Sequence, residues 1–132
     1  MLEVGTGCGY QTALLSLLSQ GVLSIERLRP LHEKARVHLH GWRRGDVRLV
    51  HGDGRQGHAG WGPYQHIVAA AGGDALPQAW LDQLAPGGRL VAPMHDARIG
   101  GQVLVVLDRD ERGWREQRLE AVHFVPLKSG RE

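Results

Sequence analysis

The first ten residues, Met1-Leu-Glu-Val-Gly-Thr-Gly-Cys-Gly-Tyr10, constrain this chain more than any other stretch. Leu2 and Val4 read as the end of a buried strand, and Gly5, Gly7 and Gly9 follow at every second position. Ala13, Leu14, Leu17 and Leu18 then recur at helical spacing, which predicts a helix over 10–19. The glycines therefore form a strand-to-helix turn. Glycine accepts positive φ and leaves room for a ligand to approach the backbone. A helix that starts there offers free N–H groups and a partial positive charge to that ligand. The plain alternative is a tight turn of the kind any α/β protein contains.

The spacing narrows the ligand. A nicotinamide or flavin fingerprint needs Gly-x-Gly-x-x-Gly, but Tyr10 occupies the third glycine position here and the extra glycine comes one place early, at Gly9. With Glu3 two places before Gly5, the run Glu3-x-Gly5-Thr6-Gly7-x-Gly9 resembles the first motif of S-adenosylmethionine-dependent methyltransferases. Val22–Ile25 reads as a second strand, with Glu26 just past its end and 21 residues after Gly5. That is where an α/β nucleotide site carries its ribose-binding acid. A carboxylate can accept from both ribose hydroxyls, and the distance from the turn favours this over a solvated strand-end charge. Asp53, between Gly52 and Gly54 after a third strand at 47–50, is read equally well as turn chemistry or as an acceptor for the adenine amino group.

Beyond the turn, strands and helices alternate. A helix is expected over 29–40, with Leu31, Ala35 and Leu39 four apart and Pro30 in its first turn. Residues 65–71 are nearly continuous apolar, as in a strand covered on both faces. Gly72-Gly73 opens a loop, residues 75–84 read as a helix, and Pro86-Gly-Gly88 turns into a strand at 89–93. Residues 102–107 and 115–122 then form a hairpin around the polar stretch 108–113. The expected fold is α/β: a Rossmann-like, doubly wound, mostly parallel sheet with a C-terminal antiparallel hairpin, in one domain over 1–132.

Composition limits the partners. Sixteen Lys+Arg against fourteen Asp+Glu give +2, too mild to indicate nucleic acid, and only Arg43-Arg44 are adjacent arginines. The sequence has no apolar run of membrane-spanning length. A single cysteine, Cys8, excludes an internal disulfide and makes a reducing, cytoplasmic setting the default. The eight histidines are dispersed, and His38 and His40 point apart on a helix, so no metal is expected.

Five blocks occur in order: residues 2–13, Ser24-Ile-Glu-Arg27, His51-Gly-Asp-Gly54, Leu84-Ala-Pro-Gly-Gly-Arg-Leu-Val91 and Val122-His-Phe-Val-Pro-Leu127. Together they resemble bacterial protein-L-isoaspartate O-methyltransferases over nearly the whole chain. The last block is the most specific. The resemblance implies methyl transfer from S-adenosylmethionine to the carboxylate of isoaspartyl residues in damaged proteins. It implies cofactor contacts at Glu3, Gly5, Thr6, Gly7, Gly9, Glu26, Asp53 and Gly54, and substrate contacts at Val125 and Pro126. No catalytic base is expected. The substrate carboxylate is already ionised at neutral pH, and catalysis can be mostly alignment.

Several positions depart from the family pattern. Gln65-His66 stands where an Asp is usual, Ala69 where a Thr-like residue is common, and Met94-His95 where Val-Gly is usual. Met1 falls inside the first strand. A further N-terminal segment with a Ser-x-Pro-type covering loop is therefore expected to be lacking, and turnover is expected to suffer. The rival readings are a cofactor-binding fragment without turnover and a same-fold methyltransferase acting on a small molecule or RNA.

Overall fold

The computed structural model describes residues 1–43 and 45–132. Nine strands are assigned among them: β1 (Leu2–Val4), β2 (Gly21–Glu26), β3 (Asp46–His51), β4 (Tyr64–Ala69), β5 (Ala71–Gly72), β6 (Leu84–Asp96), β7 (Gly101–Asp110), β8 (Gly113–Val122) and β9 (Val125–Pro126). The helices are α1 (Tyr10–Leu18), α2 (Arg29–His38) and α3 (Gln78–Gln83). Seven strands form one sheet in the order β3-β2-β1-β4-β6-β7-β8, and β5 pairs with β9 in a second, two-stranded sheet. The pairs from β3 to β6 are parallel, whereas β6–β7 and β7–β8 are antiparallel. This is the expected doubly wound sheet with its hairpin. The chain winds outward from β1 toward β3, then returns to place β4 on the other side of β1. The switch point therefore lies at the C-terminal end of β1, where such sheets bind ligands.

Burial follows from this order. Leu2, Ile67, Leu84, Leu90 and Ala92 are fully buried, and Trp80 from α3 packs with them. α2 buries Ala35 on the expected face.

α1 forms where predicted but turns the other way. Its buried residues are Thr12 and Ser16, while Leu14, Leu17 and Leu18 are exposed. The apolar spacing thus located the helix but not its inner face. Thr12 is drawn inward by the buried Glu3 carboxylate, to which its hydroxyl donates.

Boundaries also differ: α2 ends at His38 rather than residue 40, and the expected strand at 65–71 divides into β4 and β5. α3 starts at Gln78 rather than residue 75, because Pro77 disfavours helical backbone in the residue before it. β6 begins at Leu84, absorbing the Pro86-Gly-Gly88 turn as a register irregularity against β4. β7 and β8 extend through the polar residues 108–110, leaving only Glu111 and Arg112 between them.

Candidate cofactor site

The end of β1 is fixed from both sides. The Gly5 N–H donates to the Ile25 carbonyl at 2.8 Å, and the Ala70 N–H donates to the Val4 carbonyl at 2.8 Å. The chain then rises through Gly5 (φ 98°) and Gly7 (φ 57°). A Cβ on Gly7 would meet no protein atom within 4 Å. The backbone angle favours glycine there, and the open space beside it leaves room for a ligand.

Glu26 ends β2 next to this turn. Its carboxylate accepts from the Gly7 N–H at 2.9 Å through one oxygen and from the Leu28 N–H at 3.0 Å through the other. These bonds fix the carboxylate and leave further acceptor capacity on each oxygen. Glu26 is the last residue of β2, which runs one place further than the expected strand at 22–25.

A cavity of about 520 Å³ opens over these groups. Val4, Gly5, Gly7, Glu26 and Gly54 line it, together with Val125, Pro126 and Lys128 from the C-terminal segment. Its volume lies in the range that encloses a nucleoside-sized ligand. A larger cavity of about 620 Å³ sits at the opposite ends of the strands, among Met1, Gly21, Asp46 and Tyr64. That is the wrong end of a parallel sheet for ligand binding.

The other candidate residues occupy different settings. Glu3 is fully buried and is not among the cavity-lining residues. It accepts from Thr12, from Ser24 at 2.6 Å and from Gln11 at 3.0 Å. Burial pushes its carboxyl upward from the ordinary range, opposed by those three hydrogen bonds. Thr6 is buried against the Ser24 hydroxyl at 2.6 Å. Gly9 caps α1 with φ 94°, and a Cβ there would press on Leu39 of the α2 end. Asp53 accepts from the Arg55 N–H at 2.9 Å and caps a single 3₁₀ turn, Gly54–Gln56. Gly54 is required by space: a Cβ there would overlap Val4 Cγ1.

Val125 and Pro126 reach the site through a pairing that the sequence reading did not contain. β9 lies parallel to β5, with Ala71 opposite Val125 and Gly72 opposite Pro126. The Leu127 N–H donates to the Gly72 carbonyl at 2.7 Å, and Arg55 Nη2 donates to the Leu127 carbonyl at 2.9 Å. Val125 remains exposed while Leu127 is buried. Arg55, Leu28 and Lys128 were missed as wall and anchor residues. Arg55 had one available signal, its place beside the Gly52-Asp53-Gly54 turn; a two-residue strand has none. Among the described residues, no three His, Cys, Asp or Glu side chains converge as a metal site, and no helix is long and apolar enough to cross a membrane.

The sheet order, the glycine turn at the switch point and the acid ending the next strand define a Rossmann-like α/β cofactor-binding domain. The model of the family Protein-L-isoaspartate(D-aspartate) O-methyltransferase (PCMT) matches residues 1–132, and the chain belongs to that family. A protein-L-isoaspartate O-methyltransferase of Methylibium petroleiphilum is 63% identical over 131 residues, which cover 98% of this chain and 49% of that protein. Its counterpart from Leptothrix cholodnii is 60% identical, with 98% and 46% covered. The chain thus spans about half the length of the curated relatives it matches. A solved protein-L-isoaspartate O-methyltransferase superposes with a TM-score of 0.88 at 27% identity, covering 97% of this chain and 41% of that one. A Plasmodium falciparum beta-aspartate methyltransferase, solved with S-adenosyl-L-homocysteine, shares the fold with a TM-score of 0.80 at 24% identity, covering 96% and 64%.

Proposed function

We propose that this chain is the cofactor-binding body of an S-adenosylmethionine-dependent protein-L-isoaspartate O-methyltransferase, acting on isoaspartyl residues of damaged proteins. One observation carries the reading: the family-specific Val125-Pro126 segment and Glu26 line the same cavity. When bound, S-adenosylmethionine supplies a methyl group on a positively charged sulfur that leaves as a neutral thioether. The residues fit such a group. Glu26, fixed by two backbone N–H groups, is set to accept from the ribose hydroxyls. Gly5 and Gly7 admit the ligand to the backbone, and Gly54 keeps the floor of the cavity low. Asp53 caps the neighbouring 3₁₀ turn and is not among the residues lining the cavity; its role as acceptor for the adenine amino group rests on the family resemblance. Glu3 and Thr6 support the turn from beneath, through Ser24 and Thr12. Gly9 seats α1 against α2.

In the C-terminal segment, Val125 and Pro126 hold the isoaspartyl peptide so that its carboxylate faces the methyl group. That carboxylate is ionised at neutral pH and needs no general base, so this chain contributes alignment. The single cysteine supports a reducing, cytoplasmic setting. The test is transfer of radiolabelled methyl to an isoaspartyl hexapeptide and to its aspartyl isomer. Alkali-labile label on the isoaspartyl peptide alone is expected. Equal labelling of both peptides, or transfer to RNA or a small molecule instead, would overturn the substrate assignment.

The half-length coverage favours a second reading, in which the chain holds the cofactor without completing the substrate site. In that case S-adenosylhomocysteine binds while neither peptide is labelled.

A further inference from the structure

Residues 128–132 run from the end of β9 to the loop between β2 and α2, and both of these line the cleft. At the near end, Leu127 is buried and pinned by Gly72 and Arg55. At the far end, Glu132 meets the loop between β2 and α2. The Glu132 N–H donates to the Arg27 carbonyl at 2.6 Å, and the Arg29 N–H donates to the Glu132 backbone oxygen at 2.6 Å. This reciprocal pair sets Glu132 opposite Leu28 in the manner of parallel strands. It also satisfies the first N–H of α2, which has no partner within the helix. Arg27 Nη2 adds a bond to Glu132 Oε1 at 3.1 Å. His51 Nε2 lies 2.9 Å from the Glu132 backbone oxygen and 3.0 Å from the Arg27 carbonyl.

Between these anchors the segment stands clear. Residues 129–131 are exposed, and a Cβ on Gly130 would meet nothing within 4 Å. One end is therefore held by apolar burial and the other by polar contacts alone. Segments with exposed hydrogen bonds and little apolar burial open locally at low free energy. Leu28 and Lys128, at the two ends of this span, both line the cavity.

We propose that residues 128–132 form a strap, hinged after Leu127 and latched at Glu132, that gates passage of the ligand into and out of the cleft. The proposal rests on the cofactor reading above. A gate that does not touch the ligand slows entry and exit alike and leaves the equilibrium constant unchanged, because it favours neither the bound nor the free state. A ligand-contacting segment instead alters dissociation.

The experiment measures association and dissociation of S-adenosylhomocysteine by surface plasmon resonance in three proteins. In a chain ending at Lys128, both rates are expected to rise by about tenfold, the scale of losing one charge-assisted hydrogen bond, with Kd unchanged. In a Leu28→Cys/Glu132→Cys variant, made with Cys8→Ser so that one thiol pair remains, oxidation is expected to slow both rates below those of the parent. Reduction of the same variant is expected to raise both rates again. Rates equal to the parent in both variants would overturn the strap, as would truncation that changes dissociation alone. If the parent chain gives no response to S-adenosylhomocysteine, the cofactor reading fails and the gating role with it. The latch is then decided by amide exchange at Arg29: protection lost on truncation supports it, and exchange unchanged by truncation overturns it.

Discussion

Two carboxylates on neighbouring strands meet opposite environments. Glu26 is held by backbone N–H groups at the edge of a cavity, whereas Glu3 is sealed among side-chain donors. Burial raises the Glu3 carboxyl above its unfolded value. Its protonated form is thus favoured by folding. The associated stability is present below the unfolded pKa of about 4.3 and is lost as pH rises through the raised folded value. Glu3→Gln keeps an acceptor for Thr12 and Ser24, and rotation of the Gln11 amide supplies an acceptor for the new NH₂. Urea unfolding across pH 4–8 is therefore expected to show the parent losing stability relative to Glu3→Gln as pH rises. Parallel profiles would contradict it. Glu3→Ala leaves the Thr12 and Ser24 hydroxyls without this acceptor and is expected to cost about 1–3 kcal/mol at low pH, with the cost shrinking as pH rises.

At the scale of elements, the site depends on how closely the turn after β3 approaches β1. Gly54 leaves no room for a Cβ beside Val4, and its carbonyl accepts from Trp80 Nε1 at 2.7 Å, which ties that turn to α3. Gly54→Ala is expected to force the turn outward, costing about 1–3 kcal/mol of stability and weakening cofactor binding together with it. A variant of parental melting temperature and affinity would show that the contact relaxes freely. Much of this arrangement was legible in the sequence. The alternation of apolar runs and glycine turns located the strands of the main sheet, and the Gly5-to-Glu26 distance brought the acid to the turn. α1 was legible as a helix but not in its facing, because the pull on Thr12 comes from a buried carboxyl group that apolar periodicity does not register. The β5–β9 pairing was not legible at all. Two-residue strands have no period, and contact between residues 71–72 and 125–126 is set by the whole sheet between them.

For the molecule as a whole, the sheet order puts the first turn, the end of β2 and the β9 segment at one end of the structure. The central expectation is that this end binds S-adenosylmethionine and its product, with Glu26 as the ribose acceptor. The spacing that leaves Tyr10 at the third glycine position of a dinucleotide fingerprint disfavours NAD at the same place. Ligand that binds only the folded chain must also stabilise it, by about 2.7 kcal/mol at a hundredfold excess over Kd. The most direct measurement is isothermal titration calorimetry of S-adenosylhomocysteine into the parent chain and into Glu26→Ala, with NAD titrated into the parent. Binding of S-adenosylhomocysteine to the parent, weaker by about 1.5–3 kcal/mol in a folded Glu26→Ala variant, and no heat from NAD are the expected results. Binding of NAD without a response to S-adenosylhomocysteine would contradict the account, as would full affinity in Glu26→Ala.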